Sequence, residues 1–260
     1  MFKTAHLADL HGRDKDIEEI EKCLNFAVDT IEKEKVDLTV IAGDCFDSRD
    51  IKLDSKAAKL IIKTVSRLAN ICPVAIVKGT ESHDGNAPEI LQYARGKYPV
   101  IVASTPIQVK MIKKHSFLYR MDMPSNGEPD AIITLIPQPT KQFFNQGSIS
   151  ESNESISQAL GLLFSGFGAQ TAQYSCPHIL VYHGSISGAK LSNQQVMTGM
   201  DIEVSTDQLN LANPDVIMCG HIHLPQELPR NVFYSGSLFP LNYGEIHNHG
   251  FYIHEIGQQL

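Results

Sequence analysis

"VIAGDCFDSRD", residues 40–50, decides how the chain is read. An apolar, β-branched run stops at Gly43-Asp44, and a second carboxylate, Asp47, follows three positions later. Such a run fits a strand covered on both faces, with Gly and a polar residue ending it. A carboxylate at the end of a buried strand loses its hydration. It needs a cluster of N–H donors, an arginine or a metal ion as its partner.

Working outward, "KTAHLADL" before this stretch reads as a strand, and "RDKDIEEIEKCLNFAVDTIEKEKV" as a helix with Ile17, Ile20, Leu24, Ala27 and Ile31 on one face. After it come a helix, "LDSKAAKLIIKTVSRLAN", and a strand, "CPVAIVKG". The β-α-β-α-β order implies right-handed crossovers and a parallel sheet covered by helices, an α/β fold. Functional residues in such folds gather beyond the carboxyl ends of the strands, here Asp9, Asp44 and Gly79. Further strands are expected in "PVIVAS", "IQVKMIKK", "AIITLIP", "HILVYHG", "PDVIMCGHIH", "NVFYSGS" and "GFYIHEI", with a turn-rich loop at "RMDMPSNGEPD". "ISQALGLLFSGFG" reads as a helix, within a helical insert at about residues 141–177. No linker or repeat divides the chain, so a single domain over residues 1–260 is expected.

Hydrophobic residues at 42% and charged residues at 20% describe an ordinary globular protein. No run of 18 apolar residues suggests a membrane span, and the N-terminus is too polar for a secretory signal. The five cysteines are scattered without a CxxC pair, which predicts free thiols and a reducing, cytoplasmic setting. The formal net charge of −7 argues against a sequence-independent DNA binder that relies on a broad basic surface. It leaves open a nucleic-acid substrate drawn into a cleft by divalent cations.

Four polar clusters follow strands in chain order: Asp9-x-His11, Gly43-Asp44-x-x-Asp47, His183-Gly184 and Gly220-His221-x-His223. Carboxylate oxygen with imidazole suits manganese, zinc or iron(II). Alternate residues of a strand share a face, so each x-spaced pair is expected to point into one site. Asp44 could bridge two ions. Alone, each cluster has an ordinary reading, such as a turn aspartate capping a helix; their serial occurrence favours metal. His6 is expected to be packed on its strand, and His247 and His249 to lie on a surface loop. Ser235-Gly236-Ser237 could offer backbone N–H groups to a phosphate.

"HLADLHG", "VDLTVIAGDCFDS", "PVAIVKGTESHD", "ILVYHG", "PDVIMCGHIHLPQ" and "FYSGSLFPLNYGE" together resemble the calcineurin-like metallophosphoesterases, and within them the SbcD-type DNA repair nucleases. The "GS…GE" segment before the closing strand is the narrower mark. The likeness covers about residues 1–137 and 178–256. It implies a four-layer sandwich of central sheets flanked by helices. It also implies two divalent cations, manganese first and magnesium, iron or zinc as alternatives. Asp9, His11, Asp44 and His223 would hold one cation, and Asp44, His183 and His221 the other. His83 would stabilise the transition state or protonate the leaving oxygen, Asp84 would orient His83, and Asp47 would support the metal ligands.

One departure is local. The family's Gly-Asn-His motif is replaced by Gly79-Thr80-Glu81-Ser82-His83-Asp84. Adjacency to His83 puts Ser82 in the place of the metal-binding Asn, with Thr80, Glu81 or Asn86 as alternatives. A hydroxyl is a weaker ligand than an amide carbonyl, so the second cation is expected to bind weakly.

The resemblance implies a DNA exonuclease with some single-strand endonuclease activity, acting with an SbcC-type ATPase and able to form a homodimer. The chain stops soon after the core, so no separate capping domain and no ATPase-docking region are expected. A small-molecule phosphodiesterase or phosphatase is the alternative, and a weakly active metal- and DNA-binding scaffold the third reading.

Overall fold

The computed structural model describes residues 1–112, 115–118, 121, 128–140, 153–191 and 202–257. The first half runs β1 (Phe2–Leu7), α1 (Ile17–Glu34), β2 (Leu38–Ile41), α2 (Lys56–Ile71), β3 (Val74–Val77) and β4 (Val100–Ala103). These four strands pair in parallel in the order β1-β2-β3-β4. Ser55 starts α2, its hydroxyl accepting from the Ala58 N–H at 3.1 Å. Lys35, in the left-handed conformation, ends α1.

The second half comprises β5 (Ile107–Ile112), β6 (Ser116–Leu118), β7 (Ala131–Ile136), α3 (Asn153–Thr171), β8 (His178–His183), β9 (Ser185–Ile186) and β10 (Glu203–Val204). It continues with α4 (Thr206–Asn210), β11 (Val216–Gly220), β12 (Gln226–Leu228), β13 (Val232–Tyr234) and β14 (Tyr252–Ile256). The second sheet has the order β12-β13-β11-β8-β7-β5-β6. β14 returns to the first sheet and pairs antiparallel with β1. The short β9 and β10 pair with each other.

Alternation of side chains builds the layers. Leu7, Ile41 and Ile76 pack against Ile20, Leu24 and Ile31 of α1 and Ile61, Val65 and Leu68 of α2. Their neighbours Val40, Ala75 and Val77 face the second sheet, meeting Val109, Ile133, Leu135, Val181 and Met218. On the far side, Leu180, Tyr182, Ile217 and Cys219 pack under Ile156, Leu160 and Phe164 of α3 and Leu209 of α4. The result is helices, sheet, sheet, helices, the four-layer α/β arrangement. The segment expected as an insert thus supplies α3, the cover of the second sheet, while residues 141–152 lie outside the described residues.

All five cysteines are free thiols. Among the described residues no helix is long and apolar enough to cross a membrane. His6 is buried as expected, its Nε2–H donating to the Cys219 carbonyl at 3.0 Å.

Burial holds His178 neutral. Its pKa is lowered to about 4, its Nδ1–H donates to the Asn213 carbonyl and its Nε2 accepts from Thr134 Oγ1 at 2.8 Å. His254 is likewise lowered to about 4 by burial. Unfolded histidine takes a proton near 6.5, so this stabilisation is complete above that pH and is lost as pH falls towards 4. For His178 the loss is on the order of 3 kcal/mol. Melting temperature is expected to fall between pH 6.5 and 4, and less steeply in His178→Gln. A pH-independent melting temperature over that window would contradict this.

Candidate metal centre

Strands β1 and β2 run parallel to each other, as do β8 and β11, and all four end on one edge of the two facing sheets. Asp9 and His11 lie beyond the last residue of β1, and His221 and His223 beyond β11. Strand alternation therefore does not aim these pairs, contrary to the sequence expectation. Left-handed turns do: φ is 51° at Asp9, 40° at His11, 49° at Asp44 and 98° at His221. A non-glycine residue held there costs on the order of 1–3 kcal/mol, and such strain clusters at functional sites. Backbone bonds between the two loops hold the turns: Asp9 N–H to Gly43 O at 3.1 Å and His11 N–H to Asp44 O at 3.0 Å.

The turns bring together two triads, Asp9, His11 and His223, and Asp44, His183 and His221. Within each, the ligand atoms lie within 4.8 Å of one another. Asp44 Oδ2 stands between them, 3.5 Å from His183 Nε2 and 3.9 Å from His11 Nε2. Both Asp9 oxygens accept from the His221 N–H, at 3.0 and 3.1 Å.

Outer partners fix the rings. His183 Nδ1–H donates to Ala42 O at 2.6 Å, and His223 Nδ1–H donates to Glu245 Oε1 at 2.9 Å, which turns both Nε2 atoms inward. Asp47 Oδ1 lies 3.4 Å from His11 Nδ1, an ion-pair distance without good hydrogen-bond geometry. His11 Nε2 then faces His223 Nε2 at 3.1 Å. Two imidazole lone pairs cannot bond each other. Only a proton or a cation between them satisfies both, and this donor set fits a divalent ion.

The electrostatics say the same. Burial alone would lower His183, but the Asp44 carboxylate, with Asp9 and the Ala42 carbonyl, raises it to about 9. Burial opposes the ionised Asp44 too, yet His183, His11 and His83 hold it well below the usual carboxylate range. The buried carboxylates recruit positive charge, and a bound cation would displace protons from these rings.

Ser82 is exposed, and its carbonyl accepts from the Arg49 N–H at 3.0 Å. Thr80 stands in the cluster instead of Ser82. Its N–H donates to Asp44 Oδ1 at 2.6 Å, and its hydroxyl lies 3.1 Å from Asp44 Oδ2 and 3.3 Å from His183 Nε2. The two extra residues bulge outward, with Glu81 paired to Lys78 at 2.7 Å. Asn86 is exposed.

His83 packs edge-on against His11, ring centroids 4.7 Å apart. The Asp47 carbonyl orients it, accepting from His83 Nδ1 at 3.2 Å. The role expected of Asp84 is thus not the one its contacts give it. Asp84 is buried and ties loops together, accepting from Gly79 N–H at 2.7 Å and Phe46 N–H at 3.1 Å. Burial and the Asp44 charge raise its pKa against those donors.

Ser235-Gly236-Ser237 packs against the His223 backbone, with the Ser237 N–H engaged there. Ser235 and Ser237 are buried, their hydroxyls donate to the Gly236 and Phe239 carbonyls, and the Ser237 N–H donates to His223 O at 3.3 Å. His247 and His249 are half-buried braces also: His247 Nε2–H donates to His223 O at 2.9 Å, and His249 Nδ1 lies 3.1 Å from Ser237 Oγ. Glu245 is the partner that spacing could not reveal, 22 residues from His223. Its one signal was its place in the "GS…GE" segment.

The calcineurin-like phosphoesterase family model matches residues 2–225. The SbcD component of the nuclease SbcCD from Staphylococcus epidermidis is 24% identical over 257 residues, 94% of this chain. The chain spans 63% of the length of that curated relative. Among solved structures, a dimetal phosphatase from Danio rerio is similar over 97% of this chain and 91% of its own, with a TM-score of 0.54 and 11% identity. GAP50, the anchor in the inner membrane complex of Plasmodium, is similar over 97% of this chain and 80% of its own, with a TM-score of 0.58 and 16% identity. At such identities the two structures speak for the fold alone. With the family model spanning most of its length, and the family's dinuclear metal chemistry matched by the donor set at its strand ends, the chain belongs to the calcineurin-like phosphoesterases.

Proposed function

We propose that the chain is a manganese-dependent phosphodiesterase acting on DNA, an exonuclease with single-strand endonuclease activity, in repair or replication processing. The observation that carries the phosphodiester chemistry is the pair of triads with Asp44 Oδ2 standing between them and His83 at their edge. The DNA reading draws on the SbcD-type relative and on the "GS…GE" segment, whose Glu245 holds the ligand His223.

Asp9, His11, His223 and Asp44 would hold one cation, and Asp44, His183 and His221 the other. Bound there, two cations supply charge neutralisation at the phosphate and an activated water. The chain's own groups do the rest. Glu245 and Ala42 O keep the His223 and His183 imidazoles aimed inward, and the Asp47 carboxylate stands 3.4 Å from His11 Nδ1. His83, its Nδ1–H given to the Asp47 carbonyl, keeps Nε2 to exchange a proton with the leaving oxygen. An SbcC-type ATPase is the partner to seek by co-purification.

Thr80 gives this reading a specific consequence. A hydroxyl beside Asp44 and His183 is a weaker oxygen donor than an amide carbonyl, so the second cation should bind more weakly than the first. Calorimetric titration is expected to resolve two unequal affinities, and Thr80→Asn to tighten the weaker by about tenfold. Equal, tight affinities in the wild type would contradict it.

The test of function is cleavage of labelled single- and double-stranded oligonucleotides, with manganese raised from micromolar to millimolar, beside a cyclic nucleotide and a small phosphate ester. Metal-dependent cleavage of the oligonucleotides is expected. Hydrolysis of the small esters alone would replace DNA by a small-molecule substrate, and no hydrolysis of any would leave the scaffold.

A further inference from the structure

Beside the metal centre, Leu191, His221, Ile222, His223, Asn242, Gly244 and Glu245 line a cleft of about 370 Å³. Tyr243 sits between two of its lining residues. Its ring is fully exposed, and Ile246, on the same loop, is 93% exposed. Large apolar side chains normally gain from burial, so two bare ones together mark a contact surface.

Looseness does not account for their exposure. Glu245 between them is buried, its Oε2 accepting from Leu241 N–H at 2.9 Å and its Oε1 from Asn242 Nδ2 at 3.1 Å. The Asn242 side chain accepts from Gly244 N–H at 2.9 Å, and Arg13 donates to Leu241 O. The same Glu245 oxygen that holds Asn242 also accepts from the ligand His223. The loop is thus fixed to the metal centre, with an aromatic and an aliphatic side chain presented at its rim.

We infer that Tyr243, supported by Ile246, is the platform on which an unpaired base next to the scissile phosphate stacks. This rests on the DNA reading and deepens it, naming a single-stranded or frayed end as the form that enters. The loop's charged groups point the same way: Glu245 is turned inward, so no carboxylate of this loop opposes the approaching strand. A flat π-face tolerates every base, which suits an enzyme that must digest any sequence. Tyr243 is here a substrate-contacting specificity residue, not a member of the metal centre.

The test is a cycle of two changes. Cleavage by wild type, Tyr243→Ala, Tyr243→Phe and Ile246→Ala is measured with manganese on a single-stranded oligonucleotide, and on the same strand with abasic tetrahydrofuran residues flanking the scissile bond. The expected result is a rise in KM of about tenfold for Tyr243→Ala on the natural strand, a smaller rise for Ile246→Ala, and little change for Tyr243→Phe. The abasic strand should already bind wild type as weakly, with Tyr243→Ala adding less than twofold. Equal KM values for wild type and Tyr243→Ala on the natural strand would overturn the platform while leaving the nuclease reading intact. Equal losses on natural and abasic strands would also overturn it, since they would place the effect elsewhere than at a base. Hydrolysis of a small phosphodiester without cleavage of either strand would overturn both readings.

Discussion

Asp44→Ala is expected to lower phosphodiester hydrolysis by about a thousandfold or more, because it removes the carboxylate that stands between the two triads. Asp44 Oδ2 stands between His183 Nε2 and His11 Nε2, and Thr80 holds it through both its N–H and its hydroxyl. The fold should survive. Asp44 packs beside Asp84, whose ionisation it opposes, and without Asp44 the His183 ring sheds its proton. The separating readout is thermal: manganese should raise the wild-type melting temperature and leave Asp44→Ala almost unmoved. A variant that keeps a tenth of the activity, or keeps its full thermal response to manganese, would remove Asp44 from the shared position.

Gly79→Ala should be nearly as damaging, for a steric reason. A Cβ at Gly79 would lie 2.2 Å from the Asp44 backbone nitrogen and 2.2 Å from its Oδ1. Neither atom can yield without moving the Asp44 carboxylate, and the Gly79 N–H donated to Asp84 would shift too. Forced overpacking costs about 1–3 kcal/mol. A displacement of about 1 Å at a catalytic group costs about a hundredfold in rate. Both losses are expected together, read by urea unfolding and by hydrolysis. Gly166→Ala is the control: it lies in α3, nothing sits within 4 Å of its added Cβ, and it should be neutral or slightly stabilising. Gly79→Ala with wild-type turnover would mean that the loop approach does not position Asp44.

The layers were legible because burial on both faces leaves a strong mark: Leu180 and Tyr182 turn to α3 while Val181 turns to the first sheet, and every such strand ends in a glycine or a polar stop. The donor types at the strand ends were legible for the same reason. Their aim was not. Asp9, His11, Asp44 and His221 take left-handed turns held by bonds between loops distant in sequence, and no local propensity announces them. Ser82 and Thr80 exchanged places because sequence adjacency to His83 says nothing about which residue a bulged loop folds inward. Sequence adjacency pairs Asp84 with His83, whereas its two oxygens reach backward and across to the Gly79 and Phe46 N–H groups. Glu245 meets His223 only after the chain has formed β12 and β13 and returned, a contact made by tertiary structure.

The most direct test is a manganese-soaked crystal examined by anomalous scattering at the manganese edge. The expected map has two peaks, one among Asp9, His11 and His223 and one among Asp44, His183 and His221, with the second weaker beside Thr80. A single peak, or two peaks away from these side chains, would contradict a dinuclear centre built on Asp44.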